Sequence, residues 1–346
     1  MSVLDKGISR RSFLLSCVAG AAAGSFAWIS PAQSKSSLHN IRWYSFGTLV
    51  DVTVVDADAN RLNAALKALA LEFNRRNIEW HPWKAGAMQN INRALSRGES
   101  ILIDDHLAKM VTEIKLLHAS SMGAFNPTIG KAVSLWGFHG QQNENWSPPQ
   151  EQLIQSWLKH HPTADDLLLD GNKLSSRNTS VQLDLGGYAK GYALDLGLDL
   201  LQAAGIENAI INAGGDLVTL GNQGDRPWQI AIRHPQQQGE IAWLETEGRE
   251  AVFTSGNYER FHEKDGKRYT HIIHPKTGRP VTEIASASVI LNNGARADAA
   301  ATALVVNGIQ SWRQTAVSMG IELAMIVDEQ GQVQMTEGMK SRVKLI

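Results

Sequence analysis

Cysteine is almost missing from this chain of 346 residues: Cys17 stands alone, inside a segment that reads as a removable leader. Without that leader no disulfide, thiolate nucleophile or cysteine-ligated metal is available. An excess of charge of one sign is missing too. Lys and Arg number 33 against 34 Asp and Glu, a formal net charge of −1, so the chain lacks the basic field that non-specific nucleic-acid binding needs. There is no repeat at a fixed period and no low-complexity tract, which removes solenoids and disordered tails from consideration. No uninterrupted apolar run is long enough for a membrane span; the longest, Phe13 to Trp28, is broken by Gly and Ser. What remains, with 43% hydrophobic and 19% charged residues, is the composition of a globular protein with a substantial core.

The first 34 residues carry Lys6, Arg10 and Arg11, then the apolar run, then Pro31-Ala32-Gln33-Ser34. This is the order of a secretory signal. Ser9-Arg10-Arg11-Ser12-Phe13-Leu14 adds a twin-arginine match, and predicts export to the periplasm by that route. The stretch before Cys17 is too short for an h-region, which argues against lipoprotein anchoring there. Loss of Asp5, Lys6, Arg10 and Arg11 with the leader removes a net +2, taking the −1 of the whole chain to −3 for the mature unit, 35–346.

Along the mature chain, Ser45 to Val55 reads as a first strand, Arg61 to Asn77 as an amphipathic helix broken by Trp80-His81-Pro82-Trp83, and Asp104 to His118 as another helix. Gln141 to Pro149 reads as a polar connection. Strands and helices then mix without regular β-α alternation, which predicts an α+β fold.

Three clusters carry chemistry. In Leu183-Asp184-Leu185-Gly186-Gly187-Tyr188-Ala189-Lys190-Gly191 a strand runs into a Gly-Gly turn and a helix that lasts to about Ala204. The glycines permit close approach of a ligand, and Lys190 in the first turn adds charge where a helix N-terminus already favours an anion. The spacing matches neither the P-loop nor the G-x-G-x-x-G fingerprint. The second cluster, Asn212-Ala213-Gly214-Gly215-Asp216, follows that helix directly. Its Asp216 reads equally well as a local cap and as part of a site. In the third, Asp298 and Thr302 are stacked four residues apart on an Ala-rich helix from about Ala295 to Asn307. With a main-chain carbonyl they make an all-oxygen set suited to Mg²⁺ rather than zinc. Dipole compensation is the structural alternative for Asp298. Between these clusters, His271 and His274 are the clearest titratable candidates for acid-base work.

Taken together these segments resemble the FAD:protein FMN transferase family, also called ApbE. The matching stretches are Gly123–Gly130, Leu135–Phe138, Leu183–Asp195, Asn212–Asp216, Thr254–Arg260, Tyr269–Val281 and Ala297–Leu304, in the family's order and covering most of the mature chain. The resemblance implies a T-fold-like α+β core, FAD as substrate, and transfer of its FMN half to a Thr or Ser hydroxyl of an acceptor protein, with AMP released. By position it implies flavin contacts from Ala124-Phe125-Asn126, Asp184, Lys190 and Phe46. It also implies a Mg²⁺ site (Mn²⁺ being an alternative) from the Gly187 carbonyl, Asp298 and Thr302, with Ala295 offering a second carbonyl. His271 corresponds to a histidine implicated in transfer, and Asp184 is a second candidate base. The acceptors it implies are subunits of membrane redox complexes or periplasmic flavoproteins. Asn126 and His274 stand where the family usually has Asp. Phe46 replaces its Met, and Gly86–Asn92 replaces a Ser-x-x-Ser-x-x-Asn element. These departures keep open two further readings: an FAD pyrophosphatase giving FMN and AMP, and a non-catalytic FAD-binding protein.

Overall fold

The computed structural model describes residues 37–56, 58–140 and 145–346. The predicted leader, Cys17 included, lies outside the described residues, as does part of the predicted polar connection. Eight strands form an antiparallel sheet: β1 (Ser37–Ser45), β2 (Thr48–Asp56), β3 (Ala209–Ala213), β4 (Asp216–Leu220), β5 (Glu250–Gly256), β6 (Ile284–Leu291), β7 (Ala324–Asp328) and β8 (Val333–Met335). Their order across the sheet is their order along the chain.

The predicted first strand is therefore the second arm of a hairpin whose first arm went unpredicted. Phe46 and Gly47 both have positive φ, 51° and 77°, the pattern of a turn that usually carries Asn-Gly. A phenylalanine conceals that signal. It is held there because its ring meets Phe73 edge-on at 5.4 Å and its amide donates to Asn77 Oδ1 at 3.1 Å.

Alternation along the strands divides the core in two, because successive side chains point to opposite faces. Ala251, Phe253, Val289 and Ile326 face a helical layer, whereas Val252, Ile290, Met325 and Val327 face a second, three-stranded sheet built from Trp228–Arg233, Glu240–Thr246 and Val343–Leu345. The helical layer holds α1 (Ala59–Glu79), α2 (Ala87–Ser96), α3 (Asp105–Ser120), α4 (Ala189–Ala203) and α5 (Gly294–Ser318). Asp58 and Asp104 cap α1 and α3 through their side chains. The architecture is α+β, as the sequence predicts.

α5 departs from expectation by running on past Gly308 to Ser318. At Gly308 φ is 73° and ψ is −179°, a conformation open only to glycine. The break is bridged by Glu283, whose Oε2 accepts from the Ile309 amide at 3.0 Å.

α4 and α5 are locked to each other by reciprocal caps. Asp195 in α4 accepts from the amides of Gly294 and Ala295 (3.0 and 3.1 Å), and Asp298 in α5 accepts from the amide of Gly191 (3.1 Å). Each helix thus sets a carboxylate on the positive end of the other. Glycine is required at 191 because a Cβ there would run into the backbone of Gly294 and Ala295. This contact fixes where Lys190 and Asp298 meet.

Candidate active site

The turns at one end of the sheet, the N-terminus of α4 and the second turn of α5 surround a cavity of about 1000 Å³, at the top of the range of roughly 300–1,000 Å³ for small-molecule sites. The β1–β2 turn brings Phe46, the β3–β4 turn brings Gly214, and β5 brings Thr254 and Ser255. The first and second clusters of the sequence, separated by a whole helix, meet here.

Lys190 pairs with Asp216, a buried residue whose other oxygen accepts from the Thr254 amide at 2.8 Å. Burial opposes the lysine's charge, but Asp216 and then Asp298 hold its pKa above the ordinary value. The cavity therefore keeps a permanent cation on its wall. Asp216 lines the cavity, and its second bond is to the distant Thr254 amide inside β5 rather than to its own turn, so the local-cap reading does not describe it.

Asp298 is buried beside Lys190. Burial pushes its carboxyl up to about 7, with the Lys190 charge opposing and the Asp216 charge reinforcing the rise. Thr302, one turn on, bonds Ser255 Oγ at 3.1 Å, and its Oγ1 would lie 2.8 Å from any Cβ at position 187. Glycine at 187 thus lets the turn close onto the Thr302 hydroxyl. No three His, Cys, Asp or Glu side chains converge as a metal set among the described residues. What Asp298, Thr302 and Gly187 offer is one carboxylate, a hydroxyl and main-chain oxygen, and hard cations accept such a set. Ala295 is fully buried, with its amide committed to Asp195, and it does not line the cavity.

His271 lines the cavity from a loop between Thr270 and Ile273. Its amide and its Nδ1 both lie 3.0 Å from the Arg260 carbonyl. A carbonyl only accepts, so Nδ1 carries the proton and Nε2 keeps a free lone pair. Burial, helped by the charges of Arg260 and Lys190, lowers the ring's pKa to about 4. His274, by contrast, accepts from the Lys276 amide at 3.1 Å within a turn and does not line the cavity.

Asp184 is the other candidate base, and both of its oxygens are engaged: Oδ1 accepts from the Gly186 amide at 2.9 Å, Oδ2 from His139 Nε2 at 2.8 Å. Burial, the largest single influence, would raise its pKa; the contact with His139, the Gly186 amide and the Arg260 charge together outweigh it and the net shift is downward. Ala124, Phe125 and Asn126 line the cavity from the segment that follows α3. Asn126 donates to the Pro162 carbonyl at 2.9 Å and accepts from the amide and hydroxyl of Thr128. A carboxylate at 126 would lack the donor that bonds Pro162, which is the physical content of this departure from the family's Asp.

Sequence reasoning missed His139 and Trp83 and left Ser255 and Arg260 without a role. The last two sit in a quoted motif, so a signal existed. His139 and Trp83 gave none, because each acquires its partners only through the fold.

The fold and cavity define an α+β protein whose cleft, at one end of an antiparallel sheet, presents a lysine, a helix N-terminus and a buried carboxylate. The chain belongs to the ApbE family, whose model matches residues 46–326. It is 38% identical over 308 residues to the FAD:protein FMN transferase of Rhodobacter capsulatus, covering 88% of this chain and 58% of that protein. It is 32% identical over 274 residues to the FAD:protein FMN transferase of Vibrio cholerae, covering 78% of this chain and 80% of that one. The crystal structure of the ApbE protein of Thermotoga maritima superposes with a TM-score of 0.82 at 30% identity, over 88% of this chain and 99% of that one. The chain thus spans little more than half the length of the Rhodobacter relative.

Proposed function

We propose that residues 35–346 are an FAD:protein FMN transferase unit, which moves the FMN half of FAD onto a Thr or Ser hydroxyl of an acceptor protein and releases AMP. The observation that carries this reading is the meeting, in one cavity, of a fixed cation, an all-oxygen donor set and a histidine with a free lone pair. The names of the relatives support it. Asp298, Thr302 and the Gly187 carbonyl are the residues that would hold Mg²⁺ (or Mn²⁺). When bound, the ion would offset negative charge on the FAD pyrophosphate.

Lys190 and the N-terminus of α4 bind and orient the phosphates. Phe46 and the Ala124-Phe125-Asn126 wall bound the space left for the flavin. The acceptor oxygen bonds to the FMN-side phosphorus, the bond from that phosphorus to the bridging oxygen breaks, and that oxygen leaves with AMP. The hydroxyl proton goes to Nε2 of His271. Asp184, with both oxygens occupied and its pKa lowered, is better suited to accepting a hydrogen bond from the ligand than to taking a proton. Export to the periplasm by the twin-arginine route suits an acceptor that is a periplasmic flavoprotein or a subunit of a membrane redox complex. Among the described residues no helix is long and apolar enough to cross a membrane.

The test is to incubate the mature protein with FAD, Mg²⁺ and a candidate acceptor domain, and to follow acceptor mass and AMP together. An acceptor gain equal to FMN, matched by AMP and abolished by a chelator, is the expected result. AMP with no adduct would make the protein an FAD pyrophosphatase, and tight FAD binding with neither product would make it a flavin binder.

A further inference from the structure

His139 stands directly behind two groups that face the cavity, on two different parts of the chain. Its Nε2 donates to Asp184 Oδ2 at 2.8 Å, and its ring stacks on Trp83 with centroids 4.4 Å apart and planes 21° apart. The His139 side chain is only 5% exposed. Trp83 lies in the loop between α1 and α2, whose fold is fixed from within: His81 Nδ1 accepts from the amides of Trp83 and Lys84 at 3.4 and 3.3 Å, and its ring meets Trp83 edge-on at 4.4 Å. Gly86 closes the loop against the end of α1, where a Cβ would overlap the Ile78 carbonyl oxygen. His81, Trp83 and Asp184 all line the cavity, and His139 does not. One buried imidazole therefore joins an aromatic wall to a hydrogen-bond acceptor.

We propose that His139 is a positioning residue for ligand recognition: it holds Trp83 and Asp184 in fixed relation, so that together they bind a flat heteroaromatic ring bearing an N–H donor. The ring packs on the indole, and the carboxylate accepts from the N–H. Holding both groups in place before binding removes the entropy otherwise lost in ordering them. The inference rests on the FAD reading for the ligand's identity. Both the isoalloxazine and the adenine of FAD meet the chemical description.

The experiment uses the mature protein and four variants: His139→Gln, which keeps a donor but loses the stack; His139→Phe, which keeps the stack but loses the donor; Trp83→Leu; and the double variant His139→Phe/Trp83→Leu. The readouts are FAD affinity by equilibrium titration, KM and kcat for AMP release, and competition by FMN and by ADP. Each single variant is expected to weaken FAD binding and raise KM by roughly tenfold, the scale of one aromatic or hydrogen-bond contact, with kcat within about threefold. The double variant is expected to lose less than the product of the single losses, because the two residues act as one unit. A matching loss of inhibition by FMN alone would place the isoalloxazine on Trp83, and by ADP alone the adenine. Unchanged FAD affinity in both His139 variants, or a fall in kcat at constant KM, would overturn the assignment. Wild-type protein that binds FAD without releasing AMP would sink the transferase reading, while the affinities still decide the role of His139. Wild-type protein that does not bind FAD would overturn both.

Discussion

His271 has one ring nitrogen committed to a main-chain carbonyl and the other open to the cavity, in surroundings that disfavour the imidazolium. A histidine so placed is neutral across the physiological range and ready to accept a proton. Because its pKa is lowered to about 4, the base is lost only as pH falls through that value. The acid limb of kcat/KM for AMP release is expected near pH 4, rather than near the roughly 6.5 of an ordinary imidazole. His271→Gln is expected to cut kcat by about 10²–10⁴-fold and to leave FAD affinity within a few-fold. A limb near 6.5, or a variant of normal rate, would assign the base elsewhere.

At the scale of elements, the close approach of α4 and α5 sets the site. Each helix carries the carboxylate that caps the other, and Gly191 allows the approach. Gly191→Ala forces a methyl into the backbone of Gly294. Overpacking of this kind costs about 1–3 kcal/mol, and here it also parts Lys190 from Asp298. The variant is expected to melt several degrees lower and to lose Mg²⁺-dependent AMP release even under conditions where it is folded. Retention of full activity with a lowered melting point would mean that the spacing of the two helices serves stability alone. The break at Gly308 is an independent feature, more than a turn beyond Thr302.

For the whole molecule, the burial of Asp298 bears on folding stability. A buried carboxylate whose pKa is pushed up to about 7 destabilises the ligand-free protein when ionised, and a bound cation would relieve that cost. Asp298→Asn keeps an acceptor for the Gly191 amide and removes the charge. The variant is expected to melt at or above the wild-type temperature without ligands at pH 8. FAD with Mg²⁺ should raise the melting point of the wild type, by the equivalent of about 2.7 kcal/mol at a hundredfold excess over Kd, and chelator should reverse the rise. The variant should show little of it. An equal, chelator-sensitive shift in both proteins would show that the cation binds elsewhere.

The sequence by itself determined the α+β class, the main helices within a few residues, and the clusters that hold Lys190, Gly187, Asp298 and Thr302. These signals are local: apolar periodicity, paired glycines, and two oxygen ligands one helical turn apart. It did not disclose the first arm of the β1–β2 hairpin, since Phe46 takes a positive φ only because Phe73 and Asn77 hold it. Nor did it disclose the length of α5, because Gly308 interrupts the helix at a point that Glu283 bridges from another part of the chain. Only the tertiary structure gave Asp216 to Lys190 and joined His139 to both Asp184 and Trp83. Those pairings span 26, 45 and 56 positions, and no periodicity along a chain encodes which distant side chains the fold will bring within reach.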